Sequence, residues 1–244
     1  MWIPTSVGPH PVVVLLHGGC WLDSFSLDLM HPVARDLSRR GYAVWNLEYR
    51  RVGEDGGGWP GTFRDAARGI RHLRSIADDR PLDLERVVVA GHSAGGHLAL
   101  WAVGRGDLPP GSPVAVEEPL EVRGVLGLAP ITDLEAYRTR GAPSCASAVT
   151  RLMGGTRAEV PDRYEQGSPI ERLPAGEPQG LIAGEEDAIV PAPLIAEYAD
   201  RARALGDEVR IEVVPGADHF AFLEPTSTVW TRAVEWIETR VGAP

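Results

Sequence analysis

The chain has 244 residues, 43% of them apolar, which is enough for one large core, so we expect a single domain over residues 1–244. The 34 acidic residues outnumber the 24 basic residues and give a formal net charge of −10. No run of Lys and Arg could follow a phosphate backbone, which argues against nucleic acid and anionic membranes as partners and favours a small molecule.

Cysteine content and the first residues bear on where the protein works. Cys20 and Cys145 are too few for a disulfide framework and lack the paired spacing of a metal site. The N-terminus lacks a basic stretch leading into a long apolar one, and no segment reaches the roughly eighteen consecutive apolar residues of a membrane span. We expect a cytoplasmic protein that is not exported and that binds no metal.

Apolar runs rich in β-branched residues alternate with segments of helical period, which is typical of a parallel sheet covered by helices on both faces. In the first helical segment Leu29, Val33 and Leu37 recur at helical spacing, and Gly41 follows as a stop signal. In chain order the pattern predicts a strand at residues 12–16, a helix at 27–40, a strand at 42–47, a helix at about 60–77, a strand at 86–90, a helix from about 94, strands at 122–129 and 180–183, a helix at 191–205, a strand at 210–214 and a helix at 226–241.

Two stretches depart from this alternation. Residues 52–61 are rich in glycine, and residues 133–178 carry scattered Pro and Gly with short helical pieces and no clear strand. Long irregular segments inside a compact domain are often functional loops, so we expect both stretches to act as lids, the second as an insertion.

The segment Gly91-His92-Ser93-Ala94-Gly95 has the pattern Gly-x-Ser-x-Gly between a predicted strand and a predicted helix. Such a strained turn lifts the serine hydroxyl into a cleft, and its small neighbours let the strand and the helix approach closely. The Ala94 N–H at the helix start can face a developing oxyanion. These features predict Ser93 as a nucleophile, the alternative being an ordinary serine that caps the helix.

A second motif, His17-Gly18-Gly19-Cys20-Trp21, directly follows the first strand. With the serine turn it resembles the α/β-hydrolase superfamily over nearly the whole chain from residue 12, in particular the HGGxW loop of its esterase and kynurenine formamidase branch. The resemblance implies an α/β-hydrolase fold, a mostly parallel, doubly wound sheet with a small lid insertion and no cofactor. It also implies that the amides of Gly19 and Cys20 join that of Ala94 in an oxyanion hole, while His17 stabilises the loop.

The start of the chain departs from this family pattern. Members usually have one or two antiparallel strands before the HGG strand, whereas only about ten residues precede it here. Either those strands are reduced or absent, as we expect, or the sequence starts downstream of the natural start. Reduced or absent strands would leave a sheet edge uncovered, through which a homodimer could form.

A serine nucleophile needs a base, and the base needs a carboxylate that orients it. His219 follows the last predicted strand, at the carboxyl end of the sheet, whereas His92 and His97 flank the serine turn too closely in sequence. Residues 181–191 resemble the Gly-x-x-Asp-x-x-Val-Pro turn of the family, which assigns Asp187 as the acid. Glu185, Glu186 and Asp218 remain as alternatives.

Several apolar residues lie close in sequence to these motifs and could bind an acyl or aryl group, or could equally belong to the core. We take as candidate substrate-binding residues Trp21, Tyr49, Trp59, Ile189 and Phe222, with Phe220 beside the base.

The preferred hypothesis is a serine hydrolase that cleaves small to medium carboxylic esters through an acyl-enzyme. An arylformamidase shares the HGGxW signature, and a small peptidase of prolyl oligopeptidase type shares the serine turn. A ligand-binding homologue that has lost catalysis is the alternative from another class, and the intact set of Ser93, Asp187 and His219 argues against it.

Overall fold

A computed structural model of the chain describes residues 1–104 and 108–244. Its strands are β1 (His10–Leu16), β2 (Ala43–Leu47), β3 (Leu82–His92), β4 (Val125–Leu128), β5 (Gln179–Gly184) and β6 (Val209–Val214). Its α-helices are α1 (His31–Arg39), α2 (Gly61–Arg71), α3 (Leu73–Ile76), α4 (Ala94–Val103), α5 (Leu134–Arg140), α6 (Pro143–Met153), α7 (Pro161–Gly167), α8 (Ala192–Ala204) and α9 (Thr228–Val241). Short 3-10 turns lie at Leu27–Met30, Ala77–Asp79, Pro169–Arg172 and Ala221–Leu223.

The six strands form one sheet in the order β2-β1-β3-β4-β5-β6, and every neighbouring pair is parallel. The predicted parallel sheet with helices on both faces is therefore confirmed. Because all the strands run the same way, the loops that follow them meet at one edge of the sheet, which is where ligands bind in open α/β sheets.

Side chains of β1 show how both faces of the sheet are buried. Val12, Val14 and Leu16 pack into one apolar cluster, and Val13 and Leu15 pack into another on the opposite face. The first cluster also takes in helices α2, α4 and α8, and the second takes in α1 and α9. A strand buried on both faces has no polar alternation, which is why β1 is a continuous apolar run.

Element boundaries differ from the prediction where backbone geometry intervenes. Strand β3 starts earlier than predicted because Leu82 pairs with His10. Strand β4 is shorter than predicted because Gly124, with a φ of +152°, precedes it. At the β2 edge, Trp2 exchanges two backbone hydrogen bonds with Val44 as a single antiparallel bridge, so this edge is not fully uncovered.

Residues 133–178 connect β4 to β5 and contain helices α5, α6 and α7. Leu134, Val149, Leu152 and Tyr164 of these helices are buried in the same cluster as α2 and α4. The segment is thus packed on one face of the sheet, and its role as a lid stays a prediction. Within the described ranges, no helix combines the length and the apolar character that crossing a membrane requires.

Candidate active site

Ser93 lies in the sharp turn between strand β3, which ends at His92, and helix α4, which begins at Ala94. Its φ of +55° and ψ of −118° put a non-glycine residue in a region that costs on the order of 1–3 kcal/mol. Three backbone hydrogen bonds hold it there. The Ser93 N–H donates to the Leu128 carbonyl at 2.8 Å, and the Ser93 carbonyl accepts the N–H groups of His97 at 3.0 Å and Ile131 at 3.4 Å.

The Ser93 hydroxyl is buried and forms no hydrogen bond with any residue in ranges 1–104 and 108–244. It does not cap helix α4, so the alternative of an ordinary capping serine does not describe this turn. Burying a hydroxyl without a partner costs free energy, and such strain and unpaired polarity are typical of reacting groups. A hydrogen bond between nucleophile and base often tightens only in the substrate complex.

His219 and Asp187 form a buried pair after strands β6 and β5. The Nδ1–H of His219 donates to Asp187 Oδ2 at 2.7 Å, the tautomer that a carboxylate selects. Asp187 Oδ1 accepts the backbone N–H groups of Ile189 and Val190, both at 2.8 Å. The carboxylate is therefore fixed by three hydrogen bonds, and it orients the imidazole so that Nε2 can take a proton.

The alternative acids contact other groups. Glu185 is exposed and accepts the Gly216 N–H at 3.1 Å, and Glu186 is exposed as well. Asp218 accepts the backbone N–H groups of the two residues after His219, both at 2.9 Å, and so shapes the loop that carries the imidazole.

His92 lies beside His219 with the two ring centroids 4.6 Å apart. Its Nε2–H donates to the backbone carbonyl of His219 at 2.9 Å. Burial, together with the nearby His219, lowers the pKa of His92 to about 3, so it is neutral at pH 7 and a poor base. His92 thus supports the loop that carries His219.

The glycines of the HGGCW loop let its backbone pass directly against the serine turn. A Cβ on Gly18 would lie 2.9 Å from His92 Nδ1 and 3.1 Å from the Ser93 Cβ. A Cβ on Gly95 would collide with the carbonyl oxygens of Leu16 and His17. The loop, the end of β1 and the start of α4 are therefore packed backbone to backbone around Ser93, which brings the loop containing Gly19 and Cys20 close to Ala94.

His17 anchors the start of this loop. Its Nε2–H donates to Glu48 Oε1 at 2.6 Å, and its ring stacks on Tyr49 with centroids 4.3 Å apart. Tyr49 in turn donates its hydroxyl to the His17 carbonyl at 2.8 Å. Although partial burial acts to raise the pKa of Glu48, hydrogen bonds from His17 and from two backbone amides outweigh it and lower that pKa to about 2. These contacts agree with a supporting role for His17.

Three of the five predicted substrate-binding residues are core residues. Trp21 and Phe222 are fully buried, and Tyr49 is almost so. Trp21 donates its indole N–H to His97 Nδ1 at 3.2 Å, and Tyr49 is held against His17. Their proximity to the motifs in sequence reflects packing beneath the site. Trp59 and Ile189 are partly exposed, and their contact with substrate stays a prediction.

Two aromatic side chains are exposed beside the site. Phe25 is 41% exposed and its ring covers Gly19, and Phe220 is 60% exposed with its ring centroid 5.6 Å from that of His219. Phe25 could not be identified from the sequence, because it lies outside the HGGCW motif and is brought over Gly19 by the folding of the loop. Phe220 was identified from its position next to the base.

A disulfide joins Cys20 to Cys145, with their Cα atoms 5.2 Å apart. Two cysteines were judged too few for a disulfide framework, and this single bond was not anticipated. Their separation of 125 residues gave no local signal, and the fold brings helix α6 against the HGGCW loop.

Together these groups form a set suited to acyl transfer. An imidazole oriented by a buried carboxylate can accept a proton from a neighbouring hydroxyl, and amides at the start of a helix and in a glycine loop can stabilise an oxyanion. All of the groups follow the carboxyl ends of parallel strands, namely β1, β3, β5 and β6.

A family model described as BD-FAE matches residues 2–197. Among curated proteins, the chain is 27% identical to esterase LipC of Mycobacterium tuberculosis over 221 residues, which are 86% of this chain and 53% of LipC. The chain spans about half the length, or less, of the curated relatives it matches.

Two solved structures share the architecture over almost the whole chain. A bifunctional GH43-CE protein of Bacteroides eggerthii superposes with a TM-score of 0.81 at 23% identity, covering 98% of this chain and 35% of that one. A truncated carbohydrate esterase from gut microbiota superposes with a TM-score of 0.81 at 21% identity, covering 97% and 87%. The expected α/β-hydrolase fold is thereby confirmed.

Proposed function

This chain belongs to the BD-FAE family, and from that membership and the geometry around Ser93 we propose that it is a serine hydrolase that cleaves carboxylic esters. The observation that carries the proposal is the buried His219–Asp187 pair at the same sheet edge as a strained serine whose hydroxyl is unpaired within the described residues. Several relatives and structural neighbours are named as esterases, which supports the same reaction.

In the proposed reaction Ser93 Oγ attacks the ester carbonyl while His219 Nε2 takes its proton. The amides of Gly19, Cys20 and Ala94 stabilise the negative charge on the carbonyl oxygen. His219 then returns the proton to the departing alcohol, which leaves an acyl group on Ser93. Water deprotonated by His219 releases the acid and restores the hydroxyl. Asp187 stabilises the imidazolium in both steps.

The substrates we propose are esters of small to medium acyl or aryl groups. Phe25 has an exposed ring beside Gly19 of the HGGCW loop, and Phe220 has one beside His219. Exposed rings pack against flat apolar or ring-shaped groups. A formamide is the second candidate substrate, because the HGGCW motif is shared with arylformamidases and the same serine, histidine and aspartate can attack an amide carbonyl.

Labelling with a fluorophosphonate tests the proposed nucleophile. Intact-mass and peptide mass spectrometry should find one adduct, on Ser93, and the Ser93→Ala variant should take up none while retaining its circular dichroism spectrum. An adduct on another residue, or none in the native protein, would contradict the proposal.

A substrate panel tests the bond that is cut. We expect turnover of p-nitrophenyl acetate and p-nitrophenyl octanoate to exceed that of N-formylkynurenine and of a proline arylamide. Cleavage of the formamide alone would replace the esterase proposal with the arylformamidase one.

Compartment and partners stay predictions. The expected cytoplasmic location is not favoured by the Cys20–Cys145 bond, because disulfides are rare in reducing compartments. We propose a small ester as the partner, and a homodimer through a sheet edge is a second prediction that light scattering coupled to size-exclusion chromatography can test.

A further inference from the structure

The HGGCW loop adopts a backbone conformation that its own residues do not favour. Gly19, Cys20 and Trp21 have φ values of +98°, +54° and +58° in succession. Only the first of them is a glycine, and each non-glycine residue in this region costs roughly 1–2 kcal/mol. Contacts from outside the loop must therefore hold Cys20 and Trp21 in place.

Both non-glycine side chains are tied to the segment between β4 and β5. Cys20 is covalently bound to Cys145 of helix α6, which is buried. The indole N–H of Trp21 donates to His97 Nδ1, and the His97 Nε2–H donates to the carbonyl of Gly167, the last residue of α7, at 2.9 Å. The segment is thus linked to two consecutive residues of the loop, to Cys20 by a covalent bond and to Trp21 through His97 of α4.

The other end of the loop is anchored separately. His17 is held by Glu48 and Tyr49, which follow strand β2. When the Cys20–Cys145 bond is removed, this anchor and the Trp21–His97 hydrogen bond remain, as do two backbone hydrogen bonds, from the Leu22 N–H to the Gly19 carbonyl at 2.9 Å and from the Val52 N–H to the Trp21 carbonyl at 2.8 Å. The disulfide adds to them the constraint that acts on Cys20 through its own side chain. Its loss should therefore displace the Cys20 amide without unfolding the loop.

We propose that Cys145 is a positioning residue for the reaction, and that its disulfide holds the Cys20 amide where the oxyanion forms. The inference rests on the proposed function, since it needs the oxyanion hole assigned there. An interaction made only with the transition state changes kcat, whereas KM follows interactions that substrate already makes in the ground state. Loss of the disulfide should therefore lower kcat and leave KM nearly unchanged.

The expected effect is a fall in kcat of about 10-fold to 100-fold, because loss of a whole oxyanion donor lowers kcat about 100-fold to 1000-fold and here the donor is only displaced. KM for p-nitrophenyl acetate should change less than about threefold. Affinity for a trifluoromethyl ketone, whose adduct with the serine carries an oxyanion, should fall in parallel with kcat.

The experiment compares Cys145→Ser, Cys20→Ser and the native protein before and after dithiothreitol, at 25 °C. Dithiothreitol supplies two electrons and two protons, so the disulfide becomes two thiols while the reagent closes to its own disulfide. Free thiols are counted by mass spectrometry after alkylation, with none expected before reduction and two after it. Folding is followed by near-ultraviolet circular dichroism.

Arg140→Ala is the matched control. Arg140 of α5 pairs with Glu197 of α8 at 2.6 Å, so its removal takes one contact from the same segment without touching the HGGCW loop. We expect its kcat to stay within about twofold of the native value, and dithiothreitol to have no further effect on Cys145→Ser.

Three outcomes overturn the inference. They are two free thiols in the native protein, an unchanged kcat when the disulfide is absent and the protein is folded, and an equal loss in Arg140→Ala. If Cys145→Ser does not fold, the reduced native protein decides. An inactive native protein that takes up no fluorophosphonate refutes the proposed function, whereas an active enzyme insensitive to reduction refutes only the role of Cys145.

Discussion

Two histidines lie side by side at the site, and their surroundings give them different properties. His219 donates through Nδ1 to a carboxylate, which selects the tautomer whose Nε2 is free to accept a proton. His92 donates to the His219 carbonyl, is buried and has a pKa lowered to about 3 by burial and by the neighbouring His219. Proximity to the serine in sequence is therefore a poor guide to which imidazole is the base.

This contrast predicts different effects of two matched substitutions. His219→Ala should lower kcat for p-nitrophenyl acetate by about 1000-fold or more, because it removes the base. His92→Ala should retain activity within about tenfold, because it removes one hydrogen bond to the His219 loop. Steady-state kinetics at pH 7.5 on both variants decide the matter, and a larger loss in His92→Ala would reverse the assignment of the base.

Single residues also show what local sequence can reveal. Ser93, Asp187 and His219 could be assigned because each lies in a short motif after a strand. Phe25 and the Cys20–Cys145 bond could not, because exposure and contacts between distant residues arise only when the chain is folded. Local sequence also could not show that Trp21, Tyr49 and Phe222 are buried, since an aromatic next to a motif can point into the core or into the site.

At the level of elements, the central strands and helix α4 determine the geometry of the site. The predicted strands and the long helices were found close to their expected positions, because buried parallel strands are continuous apolar runs that local sequence reveals. Helices α5 to α7 were expected only as short pieces, since Pro and Gly interrupt their pattern and their stability comes from packing on α2 and α4.

The contact between α4 and β1 gives a prediction at this level. Gly95→Ala should lower the free energy of unfolding by about 1–3 kcal/mol or more, because its methyl group would collide with the backbone at the end of β1. Gly104→Ala, at the other end of α4, should be milder, since its Cβ would lie 3.3 Å or more from its neighbours.

Urea unfolding of the two glycine variants measures this difference, and fluorophosphonate labelling of Gly95→Ala reports whether the serine turn survives. Equal destabilisation of the two variants would mean that the close approach of α4 to β1 is not what requires a glycine at residue 95.

For the molecule as a whole, buried neutral histidines link stability to pH. Burial lowers the pKa of His97 to about 4, against the hydrogen bond to Gly167, and lowers that of His92 to about 3. Both residues are buried, whereas the unfolded chain exposes them to water with a pKa of about 6.5. Between these pKa values the unfolded chain binds more protons than the folded protein. The contribution of the two neutral histidines to the free energy of unfolding is therefore complete above pH 6.5 and is lost as the pH falls.

We therefore expect the free energy of unfolding, from urea titrations at pH 7.0, 6.5, 6.0, 5.5 and 5.0, to fall as the pH is lowered. Each buried histidine contributes a slope that approaches about 1.4 kcal/mol per pH unit once the unfolded form is protonated. The carboxylate of Glu48, with its pKa of about 2, contributes only at lower pH, where its stabilisation is lost between about 4.5 and 2. The interval from pH 6.5 to 5 thus isolates the histidines from that group.

His97→Gln tests the assignment, because an amide can keep a donor for Gly167 and an acceptor for Trp21 but does not titrate. Between pH 6.5 and 5, the free energy of unfolding of this variant should change less steeply with pH than that of the native protein. The difference in slope should approach the contribution of one proton, about 1.4 kcal/mol per pH unit, even if the variant is less stable at pH 7. An unchanged slope would show that His97 is not the titrating group. In the folded protein His97, with its pKa of about 4, stays neutral between pH 6.5 and 5, so the acceptor of the Trp21 indole N–H is retained over this interval and is lost only as the pH approaches 4. Any fall in activity through the link from His97 to the HGGCW loop should therefore begin at a lower pH than the fall in the free energy of unfolding.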